Sequence, residues 1–257
     1  MKILLILSTH EMNMTFIDSV KTIKSNIIDS LTEDGNTVDI FCVSSNNDHD
    51  NYKEILGDIK FKIKCIERQF LKIVEVFKYL DNNNIEDYDW YIKVRPDVTV
   101  NEKIDNQKMD TFNKNAINTR VRFYLGPEIN VPFGASFVVN EHWKHGWSYS
   151  ETINNIVPDD EIYFFHNSIA KQAFTKIRNH ELNSKRVILD CIPLTPPNKG
   201  WITKKSFEGQ VLLHGLRQQI EFFHRDMFNI RNILIQPTSL NVTFRRVQSN
   251  DLIIEKR

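Results

Sequence analysis

Cysteine is scarce in this chain, and the three residues present, Cys42, Cys65 and Cys191, are widely separated and odd in number. They form no Cys-x-x-Cys pair and supply no disulfide framework. Cys42 and Cys65 fall in predicted strands, where a buried apolar thiol is the ordinary state. Glycine and proline, at 8 each in 257 residues, are too few for a repeat or low-complexity protein. Neither sign of charge dominates, since 33 Lys and Arg balance 33 Asp and Glu. The molecule as a whole therefore does not capture nucleic acid or an anionic membrane by its field, and any phosphate site has to be local. Long apolar runs are missing too. The opening segment, residues 3–7, ends at Thr9-His10-Glu11, is too short to cross a bilayer, and lacks a small-residue cleavage site. These absences lead us to expect a soluble, cytoplasmic protein with no membrane span and no nucleic-acid partner.

What is present is a chain able to bury a substantial core, with 41% hydrophobic residues and 17 Phe. Strand and helix patterns alternate through its first half, the mark of βα units and a largely parallel sheet. Strands are predicted at 2–8, 37–43 and 61–66, and helices at 16–31 and 69–80. In the first helix Ile17, Val20, Ile23, Ile27 and Ile28 recur at helical spacing; in the second, Ile73, Val74, Val76, Phe77 and Leu80 do. Residues 101–118 carry no clear period, and 121–125 reads as strand before a Gly126-Pro127 turn. Residues 140–153 read as helical, with Trp143, Trp147 and Tyr149 forming a stripe that suits a core, a lid or stacking on a sugar. A helix is predicted from Pro158-Asp159-Asp160-Glu161 to about 177, then strands at 187–192 and 211–213 and a helix at 216–230. The tail from Ile233 alternates weakly, as edge strands do. With no linker or repeat, we expect one domain over 1–257, with 231–257 as a C-terminal extension packed on it.

The most informative stretch is Asp89-Trp90-Tyr91-Ile92-Lys93-Val94-Arg95-Pro96-Asp97. A strand-forming run ends in a carboxylate held behind a proline. Pro96 fixes its own φ near −65° and pushes Arg95 towards extended geometry. Asp97 then stands on a stiff corner at the carboxyl end of a central strand, the edge where open α/β sheets bind ligands. Arg95 beside it is suited to grip phosphate. The plainer reading is a strand-to-turn junction with a solvated Asp.

Three later features complete a constellation. Gly134 and Ala135, within Phe133-Gly134-Ala135-Ser136, make a small-residue loop that either lets a ligand approach the backbone or serves a turn. Asp159, Asp160 and Glu161 sit where acids cap a helix, yet three in a row exceed what a cap needs. Asp160 or Glu161 can face a pocket and serve as a general base. His214, followed by Gly215 after a short apolar strand, is either a turn residue or a metal ligand, and Arg217 follows within reach of a phosphate.

In this order the chain resembles the nucleotide-sugar-dependent glycosyltransferases of the GT-A fold. Their marks are an Asp-x-Asp motif, a glycine-containing loop, an acidic xED motif and a late histidine. Residues Tyr88 to Asp97 look closest to a subgroup that includes glycosyltransferases of large DNA viruses, in which an Arg-Pro-Asp segment stands in for Asp-x-Asp. The resemblance covers roughly residues 1–220, through short motifs. It implies a single GT-A-type, Rossmann-like α/β/α sandwich around a mixed, mostly parallel sheet. It further implies a UDP- or GDP-sugar donor, a glycan or glycoprotein acceptor, Mn²⁺ or Mg²⁺ held by Asp97 and His214, and inversion with Asp160 as base. Thr9, His10, Gln69 and Lys72 match positions that meet the nucleotide, although Gln69 and Lys72 equally suit the surface of any helix. One departure matters: Arg95 stands where the first Asp of Asp-x-Asp belongs, so either Asp97 and His214 hold the metal without it or Arg95 partly replaces the metal.

Two other functions fit the same scaffold. A sugar nucleotidyltransferase usually carries a glycine-rich phosphate loop after its first strand, and Ser8-Thr9-His10-Glu11-Met12-Asn13 contains no glycine. A catalytically inactive binding protein would keep the fold and lose the first Asp.

Overall fold

A strand whose residues are all apolar or aromatic except one is built to be covered on both faces, and Trp90–Val94 is such a strand. In the computed structural model, residues 1–67, 69–124, 136–139, 156–178, 224–225 and 227–244 are described. Gly134, Ala135, Trp143, Trp147, Tyr149, Cys191, His214 and Arg217 lie outside the described residues, as do the strands expected at 187–192 and 211–213.

The chain is α/β. Strands β1 (Lys2–Ser8), β2 (Thr37–Ser44), β3 (Phe61–Lys64), β4 (Trp90–Val94), β6 (Ala116–Thr119), β10 (Ile162–His166) and β11 (Leu234–Pro237) form one seven-stranded sheet in the order β11-β6-β10-β4-β1-β2-β3. Strands β3, β2, β1 and β4 run parallel to one another, and β11 runs parallel to β6. Only β10 runs against its neighbours, β4 on one side and β6 on the other. Two small sheets flank it. One pairs β5 (Val98–Val100) with β12 (Val242–Phe244), and the other joins β7 (Val121–Tyr124), β8 (Ser136–Val139) and β9 (Ile156–Pro158).

Alternation along the central strands sends side chains into two cores. Ile3, Leu5 and Leu7 join Trp90, Ile92 and Val94 on one face, covered by the helical run of α1 (Ile17–Ile23), a wider π turn (Lys24–Asp29) and α2 (Ser30–Glu33). Met109, from the short α5 (Asn106–Asp110), and Leu56, from α3 (Lys53–Leu56), join this core. Leu4, Ile6 and Tyr91 face the other way, against α4 (Gln69–Asn82), α6 (Asn167–Phe174) and the helical residues 227 and 228. Helices thus cover both faces. Among the described residues no helix is long and apolar enough to cross a membrane.

The early elements lie where hydrophobic periodicity puts them, within a few residues, and the five inward positions predicted for α4 are all buried. The helix predicted from 158 is different. Residues Ile162–His166 form β10, and only Asn167–Phe174 is helical, its start capped by the His166 side chain accepting from the Ser168 amide. The run Ile-Tyr-Phe-Phe is β-branched and aromatic, favours a strand, and is buried on both faces of the sheet. Asp159, Asp160 and Glu161 therefore lie in a turn between β9 and β10, and helix capping does not explain them. The weakly alternating tail does contribute edge strands, β11 to the main sheet and β12 to β5.

Phe77 packs its ring against Tyr91 at 4.9 Å and lies parallel to Phe174 at 5.9 Å. Replacing it with Ala should cost about 3–5 kcal/mol through lost contacts and a cavity. Ile66, which is 77% exposed, should tolerate the same change within about 0.5 kcal/mol. Urea unfolding of the two variants checks this contrast.

Candidate functional site

The antiparallel insertion of β10 creates the site. Because β10 runs against both neighbours, its start lies at the edge where β4 and β6 end; Ile162 pairs with Val94. The acidic turn before β10 is thereby set between Arg95, which follows β4, and Arg120, which follows β6. The Arg95 amide donates to the Glu161 carbonyl at 3.1 Å, and the Asp159 amide donates to the Arg120 carbonyl at 2.8 Å, which fixes the turn from both sides.

Arg95-Pro96-Asp97 forms the stiff corner expected of it, closed by the Val98 amide donating to the Arg95 carbonyl at 3.2 Å. The Arg95 guanidinium grips Asp97 with two bonds, Nε to Oδ1 at 3.0 Å and Nη2 to Oδ2 at 2.6 Å. Its Nη1 reaches Asp160 Oδ2 at 3.4 Å. Side-chain exposures of 22% for Arg95, 11% for Asp97 and 6% for Asp160 put this bridge at the edge of the interior. Burial works against the charge on Arg95, but Asp160 and Asp97 outweigh it and hold the guanidinium above its usual pKa.

The three acids have separate roles in the structure. Asp159 and Glu161 are wholly buried, and both accept from Arg120 Nη2, the first at 2.6 Å. Arg120 Nη1 donates to the Val242 carbonyl at 2.7 Å, and among the described residues its buried Nε has no hydrogen-bond partner. This is an ion cluster that holds the turn to the β12 strand. The Asp160 carboxylate meets Arg95 instead.

From the other side come the loops after β1 and β2. The Thr9 amide donates to the Val43 carbonyl at 3.0 Å, and the Ser45 amide donates to the His10 carbonyl at 3.1 Å. Lys72 Nζ donates to Ser45 Oγ at 2.9 Å and to the Glu67 carbonyl, while Ser8 Oγ donates to Gln69 Oε1 at 2.7 Å. Gln69 and Lys72 are thus buried against the strand ends, and a position on the open surface of the helix does not account for them. The His10 ring is exposed at the lip, 3.4 Å from Ser45 Oγ. Partial loss of water around it, then the charges of Lys72 and Arg95, lower its pKa.

No family model matches this chain, and neither does any curated protein.

Three residues at this edge were not singled out from the sequence. Lys93 is fully buried; its Nζ donates to the Asp160 carbonyl and lies 5.2 Å from the centre of the Tyr163 ring. Burial pushes its pKa down to about 8, against the opposing pull of Asp160. A lysine in the middle of an apolar strand was the available signal. His224 is buried with Nδ1 2.6 Å from the Tyr163 hydroxyl, and burial pushes its pKa down to about 3. Arg120 and His224 gave no local signal, because their partners are distant in sequence.

The described residues do not fit a divalent cation as they stand. Both Asp97 oxygens accept from Arg95, and among the described residues no group of three or more His, Cys, Asp or Glu side chains could hold a metal ion. Elsewhere, an open groove of about 430 Å³ between β3 and α4 is lined by Ile63, Cys65, Ile66, Glu67 and Tyr79 among others, none of them one of the charged side chains above.

Two outcomes test this geometry. Arg120→Met removes a guanidinium that two wholly buried carboxylates share and should destabilise the fold by about 3–5 kcal/mol in urea unfolding; a loss below about 1 kcal/mol would mean the cluster is solvated. His224 stays neutral in the folded chain down to about pH 3, whereas its ordinary value is 6.5. The unfolded chain takes up that proton first, so stability should fall as pH drops from 6.5 towards 3, by about 2 kcal/mol between pH 6.5 and 5. His224→Asn should remove that component, read as a shallower pH dependence of the unfolding free energy.

Proposed function

We propose that this protein is a glycosyltransferase of GT-A type, moving a sugar from a UDP- or GDP-sugar to a hydroxyl of a glycan or glycoprotein acceptor. The observation that carries this reading is the convergence of Asp97 and Asp160 on Arg95 at the carboxyl edge of the parallel strands. The loop of Thr9 and His10 and the buried Lys72 stand at the same edge, consistent with a place for the nucleotide.

The chemistry follows from the charges. The acceptor oxygen attacks the anomeric carbon as its bond to phosphate breaks, and the nucleoside diphosphate leaves with the bonding electron pair. Arg95, with Lys72 nearby, offsets the charge that builds on the leaving oxygens. Asp160 takes the acceptor proton, giving inversion without a covalent intermediate. Lys93, donating to the Asp160 carbonyl, holds the base in position from beneath. No step is routed through a metal.

Asp160→Asn keeps the shape and removes the base. It should lower kcat by about 10²–10⁴-fold with donor binding retained, measured as nucleoside diphosphate released from a panel of UDP- and GDP-sugars with glycan acceptors. A wild-type chain that releases pyrophosphate from a nucleoside triphosphate and cleaves no sugar donor would point to a nucleotidyltransferase instead.

A further inference from the structure

We infer that the Arg95 guanidinium takes the place of a divalent cation at this site, so that a nucleoside diphosphate binds without metal. The inference rests on the proposed function and specifies how the same site holds the diphosphate.

A cation bound by Asp97 would sit about 2.0–2.6 Å from its carboxylate oxygens. The guanidinium already lies along that carboxylate, with Nη2 2.6 Å from Oδ2 and Nε 3.0 Å from Oδ1. A dication at Asp97 would face this fixed positive charge across a few ångströms in a poorly solvated corner, where like charges repel most strongly. The guanidinium cannot relieve that repulsion by losing its proton, since arginine stays charged in proteins.

The surroundings strengthen the case. Arg95 is braced from two loops: Asp97 belongs to its own corner and Asp160 to the acidic turn. Its backbone is tied to that turn through the Glu161 carbonyl. Lys93 lies beneath Asp160 and Lys72 lies across the edge, so that with Arg95 three cations stand against the carboxylates of Asp97 and Asp160. A guanidinium also forms charge-assisted hydrogen bonds with phosphate oxygens. Held between two carboxylates with 22% of its side chain exposed, Arg95 would meet a diphosphate in a fixed pose, the role that a coordinated metal would otherwise fill.

The test uses the full chain, with UDP and GDP as probes, and measures binding by calorimetry in EDTA and in Mn²⁺. The wild type should bind one of them with a Kd that agrees within roughly twofold between the two conditions. Arg95→Ala should weaken binding in EDTA by roughly tenfold or more, and Arg95→Lys, which keeps the charge without the fork, should fall between them. Circular dichroism on each variant separates loss of binding from loss of fold, and the wild-type comparison stands without any variant. Binding that requires Mn²⁺ overturns the inference and leaves the transferase reading intact. Binding of neither nucleotide under either condition overturns both. An Arg95→Ala chain that binds in EDTA as the wild type does also overturns the inference.

Discussion

Charges drawn out of water at the end of a sheet have to be answered by opposite charges held at bonding distance, because desolvating an ion costs several kcal/mol. At this edge the answer is given by guanidinium groups. Arg95 spans Asp97 and Asp160, and Arg120 spans Asp159 and Glu161. The two bridges divide the acidic turn between them. The wholly buried pair anchors the turn to the strand at residue 242, while Asp160, between them in sequence, pairs with Arg95. Three consecutive carboxylates that looked redundant in the sequence thus divide between two arginines, the outer two on Arg120 and the middle one on Arg95.

That division depends on one topological feature. Had the segment after Glu161 been helical, the acids would have lain at a helix start and their charges would have met a helix dipole. Because it is an antiparallel strand between two parallel ones, its beginning meets the ends of both neighbours, and two arginines separated by 25 positions face the same turn. The strand forms there because Ile162–Phe165 can bury aromatic and branched side chains on both faces, into cores already shaped by β4 and the helices.

β4 itself joins core and site in five residues. Trp90, Ile92 and Val94 fill one core and Tyr91 the other, while Lys93, on the Tyr91 side, reaches the backbone of the acidic turn. A lysine can lie there because its ammonium meets a carbonyl oxygen and an aromatic face in place of water. Its lowered pKa reflects the burial that remains uncompensated. His224 shows the same constraint solved differently: it stays neutral and shares its hydrogen bond with Tyr163.

Much of the scaffold could be read from the residues alone. The spacing of Ile73, Val74, Val76, Phe77 and Leu80 specifies a buried helix face, and Pro96 specifies a corner that holds Asp97 at a strand end. These are local properties, set by backbone sterics and by side-chain period. The segment at 158–177 was misread because acids followed by an apolar run satisfy a helix start and a turn before a buried strand equally well, and only neighbours in space separate the two. Likewise, Gln69 and Lys72 share a helix face in any fold, and only the packed structure turns that face against Ser8 and Ser45. What the sequence determined by itself was the alternation of elements and the residues with chemical potential at strand ends. What tertiary structure decided was pairing: which carboxylate meets which arginine, since ion pairs between residues such as 95 and 160 depend on strand order and leave no trace in local pattern.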